Sequence, residues 1–231
     1  MKTKHTADWY AFHFGSKFTE SPDFDPDSLY GHGNPECYVL YADFCSFTAF
    51  FKATENTACI EGLMTSFYSQ LRKSIHKHSG MLDKFLGDAV IAVWGLHVRE
   101  ENMIQSILQA SAELAEIARG VAEEWQSQID LLVEPKGLRI GVSKGPVIVI
   151  RRDYSYPGLS ILGNPVNLAC RLQAAAQANQ MVCSNLVYQA AAEAKLNAPF
   201  QPFKNQSMEG CLEAKNYGQI KAWTLDLGKL G

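Results

Sequence analysis

The chain has 231 residues, of which 47% are hydrophobic and 19% charged, and its formal net charge is −3. That length gives one large domain with a full core and excludes two comfortable ones. The charge excludes general nucleic-acid affinity, so any positive patch must be local.

Residues 1–35 read as an N-terminal extension. They hold Trp9, Tyr10, Phe12, Phe14, Phe18, Phe24 and Tyr30, followed by a Pro/Asp/Gly-rich stretch. Aromatics at that density are expected to pack back on the domain or on a partner subunit. Residues 36–231 alternate strand and helix. Cys37–Ala42 is a short β-branched and aromatic run, predicting a buried strand. Ile60, Leu63, Met64, Phe67, Leu71 and Ile75 recur at helical spacing, with Gly80 as the expected helix end. Met81–Phe85 and Ala89–Trp94 predict two strands joined at Gly87-Asp88. Ile104, Ile107, Leu108, Leu114 and Ile117 mark a second amphipathic helix. Leu138–Ser143 and Val147–Ile150 flank Lys144-Gly145-Pro146, which predicts a further hairpin. Helices near 164–177 and 186–195, and a terminal strand pair ending at Trp223, complete an α+β sandwich. No apolar run approaches the roughly 20 residues of a membrane helix. The N-terminus leads into no signal-peptide core. Six cysteines without a CxxC point to a reduced, cytoplasmic protein.

Two aspartates stand out against this pattern. Asp43 ends the first strand and opens the loop Phe44-Cys45-Ser46-Phe47-Thr48, and Asp88 lies in Lys84-Phe85-Leu86-Gly87-Asp88, just before an apolar strand. A charge at the end of a buried strand costs free energy unless it is paired. A divalent metal makes two such carboxylates useful together, because hard cations take oxygen ligands and bring phosphates with them. Free N–H groups where the loop enters a helix suit phosphate oxygens. Together these features suggest phosphoryl-transfer chemistry.

Four strings then carry a family resemblance. Tyr41-Ala42-Asp43-Phe44-Cys45-Ser46-Phe47-Thr48 resembles the first metal motif of the class III nucleotidyl cyclases, and Lys84-Phe85-Leu86-Gly87-Asp88 the second. Leu138–Val147 resembles the central hairpin of that fold, and Ser160–Leu172 its transition-state helix. The resemblance covers residues 36–226. It implies a mostly antiparallel sheet with helices in a ferredoxin-like, palm-type sandwich, acting as a homodimer on a nucleoside triphosphate.

The resemblance also implies roles. Asp43, Asp88 and the backbone carbonyl of Phe44 would bind two divalent ions, Mn2+ or Mg2+, and Cys45, Ser46, Phe47 and Thr48 would form the phosphate loop. Asn167 and Arg171 lie four apart on a predicted helix, so both emerge on one face. By the resemblance they would orient the ribose and stabilise charge on the α-phosphate. Lys84 and Ser160 map onto the base-reading pair and Tyr41 onto a pocket wall. In this family one subunit supplies the metal aspartates, and the other supplies the base-reading residues and the Asn/Arg pair. The contacts fit adenine, or uracil with O4 accepting from Lys84 and N3–H donating to a hydroxyl. The chain looks like a bare catalytic domain. Small stand-alone members resemble the pyrimidine cyclases of anti-phage signalling, so the expected reaction is UTP to cyclic UMP or CTP to cyclic CMP, read by a separate effector. The alternatives are an adenylate cyclase and a non-catalytic nucleotide-binding dimer.

The chain also departs from the family pattern. Ser46 stands where the first motif usually has Gly, Asn164-Pro165 replace the usual Asp or Thr, and Tyr217 aligns with an expected Lys that Lys215 or Lys221 would replace. Elsewhere, His76 and His78 read as a solvated helix end, Arg151-Arg152 as a solvated or dimer-contacting arm, and Cys45 as a small core residue.

Overall fold

The computed structural model describes residues 4–22, 24–30, 33–97, 102–134, 136–151, 159–204 and 210–230. In chain order the elements are α1 (Lys4–Phe14), α2 (Ser16–Thr19), β1 (Glu36–Phe44), α3 (Phe47–Ala53), α4 (Thr57–Lys77), β2 (Met81–Leu86), β3 (Ala89–Trp94), α5 (Met103–Gln126), β4 (Leu138–Pro146), β5 (Ile148–Arg151), β6 (Leu159–Leu162), α6 (Asn164–Ala175), β7 (Gln180–Ser184), α7 (Asn185–Glu193), β8 (Gln201–Pro202), β9 (Cys211–Ala214) and β10 (Gly218–Asp226). The main sheet runs β2-β3-β1-β4-β7-β10-β8, with β9 paired to β10. Its pairs are antiparallel except β4–β7. This is the α+β sandwich expected from the sequence.

Alternation along β1 sorts the two faces. Leu40, Ala42 and Phe44 face one way and pack with Phe67 and Leu71 of α4, Leu114 and Ala118 of α5 and Val187 of α7. Cys37 and Val39 face the other way, toward Tyr10 and Phe14 of α1. The N-terminal aromatics therefore pack back on the sheet. His13 donates from Nδ1 to the Leu82 carbonyl at 2.5 Å, and His76 donates from Nε2 to the His13 carbonyl at 3.1 Å. His97 is wedged edge-on against Phe14 and Phe18.

Three local expectations need correction. Lys144-Gly145-Pro146 is not a hairpin turn. β4 runs through it because Tyr38, Cys37 and Glu36 of β1 pair with those three residues. The chain leaves the sheet only at Val147, and β5 then pairs with β6 as a separate two-stranded ribbon. Gly80 does not supply the left-handed residue that ends α4. Ser79 does, at φ 59, and the N–H of Gly80 closes the turn on the Ile75 carbonyl at 2.9 Å. Gly80 is instead a packing position, since a Cβ there would stand 2.6 Å from the Trp94 ring. His76 and His78 are not a solvated helix end either. His76 holds the N-terminal segment, as above, and His78 Nε2 meets Glu113 Oε2 at 2.7 Å. The terminal strand also extends past Trp223 to Asp226. Of the expected arm, Arg151 lies in β5 and Arg152 lies outside the described residues.

Candidate active site

The cross-strand register builds the site. Lys84 pairs with Ile91, Ile91 with Tyr41, and Tyr41 with Gly141. One step along the pleat, Leu86 pairs with Ala89, Ala89 with Asp43, and Asp43 with Arg139. Directly paired residues point to the same face, and residues two apart along a strand share it. Tyr41, Lys84, Asp43 and Arg139 therefore stand in two adjacent rows on one face of the sheet.

Asp88 reaches the same place through the β2–β3 turn. The Phe44 N–H donates to the Asp88 carbonyl at 3.2 Å, which ties this turn to the end of β1. Burial, and then the charge of Asp43, push the Asp88 carboxyl above its ordinary value. Two carboxylates that feel each other's charge, one of them costly to ionise, are an oxygen-donor pair of the kind divalent cations take. Arg139 already answers part of that charge. Its NH2 group donates to Asp43 Oδ2 in an ion pair, and Gln173 Nε2 donates to the same oxygen at 3.3 Å. Neither Arg139 nor Gln173 was found from the sequence. They lie 96 and 130 positions from Asp43, and no local pattern reports a contact at that range.

The loop after β1 is short. Phe44 is buried, and the Cys45 N–H bonds to the Gly137 carbonyl at 2.8 Å. Ser46 caps α3 in the left-handed region at φ 64. That conformation favours glycine, the residue usual there by resemblance, and costs a serine about 1 kcal/mol. Phe47 and Thr48 open α3, where first-turn N–H groups have no partner within the helix. Cys45 is buried beside the ion pair; burial raises its thiol, and the Arg139 charge counters part of that rise.

Lys84 Nζ donates to Ser160 Oγ at 2.9 Å and lies 3.3 Å from the Asp83 carboxylate. The two residues are 76 positions apart, and the β6 strand carries Ser160 to the lysine. The Tyr41 phenol is raised, first by burial and then by Cys170, Asp43 and Asp88, so it stays a hydrogen-bond donor at neutral pH.

Helix α6 covers this face. It sits directly on Gly141, where a Cβ would overlap the Ala169 carbonyl and the Gln173 amide. Its inward residues are Pro165, Ala169, Leu172 and Gln173, whereas Asn167 and Arg171 are exposed. Residues two apart on a helix point to nearly opposite sides. Arg171 is therefore turned away from the Asp43 that Gln173 touches, and the structure does not bring the Asn/Arg pair onto this chain's own carboxylates. Tyr217 donates from its hydroxyl to the Asn164 carbonyl at 2.9 Å at the start of α6, and Lys215 and Lys221 are exposed.

The family model for the adenylate and guanylate cyclase catalytic domain matches residues 29–226. The uncharacterised protein Rv2212 of Mycobacterium tuberculosis is 31% identical over 148 residues, which are 64% of this chain and 32% of that protein. The chain thus spans about a third of the length of the curated relatives it first matches. Among solved structures, the guanylyl cyclase Cya2 superposes with a TM-score of 0.68 at 18% identity, covering 84% of this chain and 93% of that one. The adenylyl cyclase CyaB from P. aeruginosa superposes at 0.66 and 20% identity, covering 83% and 94%. These two likenesses establish the fold. Matched over residues 29–226, the chain belongs to the adenylate and guanylate cyclase catalytic domain family.

Proposed function

We propose that this protein is a nucleotidyl cyclase, a phosphorus–oxygen lyase that converts a nucleoside triphosphate into a 3′,5′-cyclic nucleotide and pyrophosphate. The observation that carries this reading is the convergence of Asp43 and Asp88 on the face that also carries Tyr41 and Lys84. Asp43, Asp88 and the Phe44 carbonyl would hold two divalent ions, Mn2+ or Mg2+. When bound, such ions lower the pKa of the ribose 3′-hydroxyl and neutralise the leaving pyrophosphate. The loop Cys45–Thr48 receives the triphosphate. Asn167 orients the ribose, and Arg171 stabilises charge on the α-phosphate as the O3′–P bond forms and the bond to the β-phosphate oxygen breaks.

Asn167 and Arg171 face away from this chain's carboxylates, so a homodimer completes each site, the partner supplying the Asn/Arg pair of α6 and the base-reading Lys84 and Ser160. The exposed Ile148, Ile150 and Leu162 of the β5–β6 ribbon support such an association.

For the base we propose a pyrimidine. The Lys84 ammonium suits the O4 of uracil, the Ser160 hydroxyl suits its N3–H, and Tyr41 narrows the pocket. The product, cyclic UMP or cyclic CMP, would then serve as an antiviral signal read by a separate effector. Adenine is the second reading, favoured by the same donor and hydroxyl and by the likeness to an adenylyl cyclase. The test is incubation of the protein with ATP, GTP, UTP and CTP separately plus Mn2+, with products identified by mass spectrometry. A cyclic pyrimidine nucleotide is expected. Cyclic AMP alone would assign the adenine reading, and no product from any substrate would overturn the cyclase assignment.

A further inference from the structure

Strand β2 breaks its own pleat at Asp83. Leu82 pairs with Ala92 of β3 and Lys84 with Ile91, so Asp83 is an extra residue and two residues of β2 oppose one of β3. Leu82 lies in the core shared with α4 and α5, and strict alternation from it would send Lys84 into that same core. The bulge prevents this. Asp83 and Lys84 come to the face of Ile91 together, and alternation resumes with Phe85 packed toward the helices. There the Lys84 ammonium lies 3.3 Å from the Asp83 carboxylate and donates to Ser160 Oγ at 2.9 Å. The Asp83 side chain is fully buried, whereas that of Lys84 keeps 25% of its surface exposed. A buried carboxylate is costly without a cation at this range. An uncharged residue would make the bulge equally well, so the carboxylate calls for a reason of its own. From α1, His13 anchors the strand just before the bulge, through the Leu82 carbonyl.

We propose that Asp83 is a positioning residue for base recognition, holding the Lys84 ammonium where it addresses an acceptor on the edge of the base. This inference rests on the base-reading role given to Lys84 above. A lysine is a point charge on a flexible four-carbon stem and has no aim of its own. Here the Ser160 hydroxyl takes one of its donors, and the Asp83 charge holds it from a second side. The donors left over are directed at the nucleotide. A carbonyl oxygen or a bare ring nitrogen is accepted there, while an amino group brought to the same place meets a fixed cation and is rejected. Asp83 itself is buried and touches no nucleotide, so it acts only through the lysine.

The test is steady-state kinetics of the full chain with ATP, GTP, UTP and CTP plus Mn2+, for wild type, Asp83→Asn, Lys84→Met and the double variant. Asp83→Asn keeps the shape and removes the charge. It should raise KM for the preferred nucleotide about tenfold and hold kcat within about twofold, because base binding serves ground and transition states alike. The preference over the other triphosphates in kcat/KM should fall about tenfold as well. In the Lys84→Met background the same substitution should change KM by less than about twofold, since nothing is left to position. An equal rise in both backgrounds, or a fall in kcat with KM unchanged, would make Asp83 structural and overturn the proposal. Melting temperatures report the pair without turnover. Lys84→Met should melt below wild type, and adding Asp83→Asn should recover part of the loss. No recovery would mean that the two charges are not paired and would overturn it too. If Asp83→Asn alone does not fold, the double variant is compared with Lys84→Met, where equal KM values uphold the proposal and a further rise overturns it. If wild type forms no cyclic nucleotide, the cyclase reading fails and takes this inference with it. If wild type turns over and Asp83→Asn matches it in KM, only this inference fails.

Discussion

Two buried histidines make the fold of this chain sensitive to mild acid. Burial lowers the pKa of His13 and of His97 to about 4, from an ordinary 6.5. The folded protein holds both neutral where the unfolded chain protonates them, so their contribution is present above 6.5 and is lost as pH falls toward 4. At pH 5 each histidine should cost about 2 kcal/mol of stability relative to neutral pH. Thermal melts between pH 7.5 and 4.5 should show the fall, and His13→Phe should roughly halve it. A melting temperature constant over that range would mean that neither ring is held as described. From the sequence His13 is one polar residue in an aromatic stretch. Only its bond to the Leu82 carbonyl, 69 positions away, makes it an anchor. Asp43 and Asp88 are different, because a charge beside a buried strand is visible in the sequence as a local conflict.

At the scale of elements, helix α6 governs the site. Its sequence spacing puts Asn167 and Arg171 on one face, and in the structure both are exposed. What periodicity cannot show is how closely the helix lies on β4. Gly141 allows that approach, and Gly141→Ala would press a methyl group into the α6 backbone, which cannot move aside as a side chain would. The variant should lose about 3 kcal/mol of stability in denaturant unfolding. At a temperature where it remains folded, its turnover should fall more than its nucleotide affinity, because α6 carries Asn167 and Arg171. A stability loss under 1 kcal/mol would show that α6 can lift without cost. The misread hairpin at Lys144–Pro146 belongs to this scale too. Gly-Pro is a sound turn signal, but nine residues of β1 pair with β4 along its whole length and hold it straight.

At the scale of the whole molecule, the proposed site takes two chains, because Asn167 and Arg171 are turned away from the Asp43 that Gln173 touches. Asp43→Ala and Arg171→Ala should each cut turnover by at least about 100-fold. Mixed in equal amounts and allowed to exchange, they should recover about a quarter of wild-type turnover, since half the dimers are mixed and each has one intact site. Mixed dimers that form and stay inactive would show that the site is not shared.

Among the described residues no helix is long and apolar enough to cross a membrane. The sequence alone determined strands β1 to β5 and helices α4 to α7, the α+β class, the family resemblance and the two conspicuous aspartates, because hydrophobic periodicity and short motifs are local. The tertiary structure alone decided that Tyr41, Lys84, Asp43 and Arg139 share one face, that Ser160 meets Lys84, and that Gln173 faces Asp43 while Arg171 turns away. Those facts depend on strand register and helix seating. Both are set by packing between residues far apart in the chain, which no window along the sequence contains.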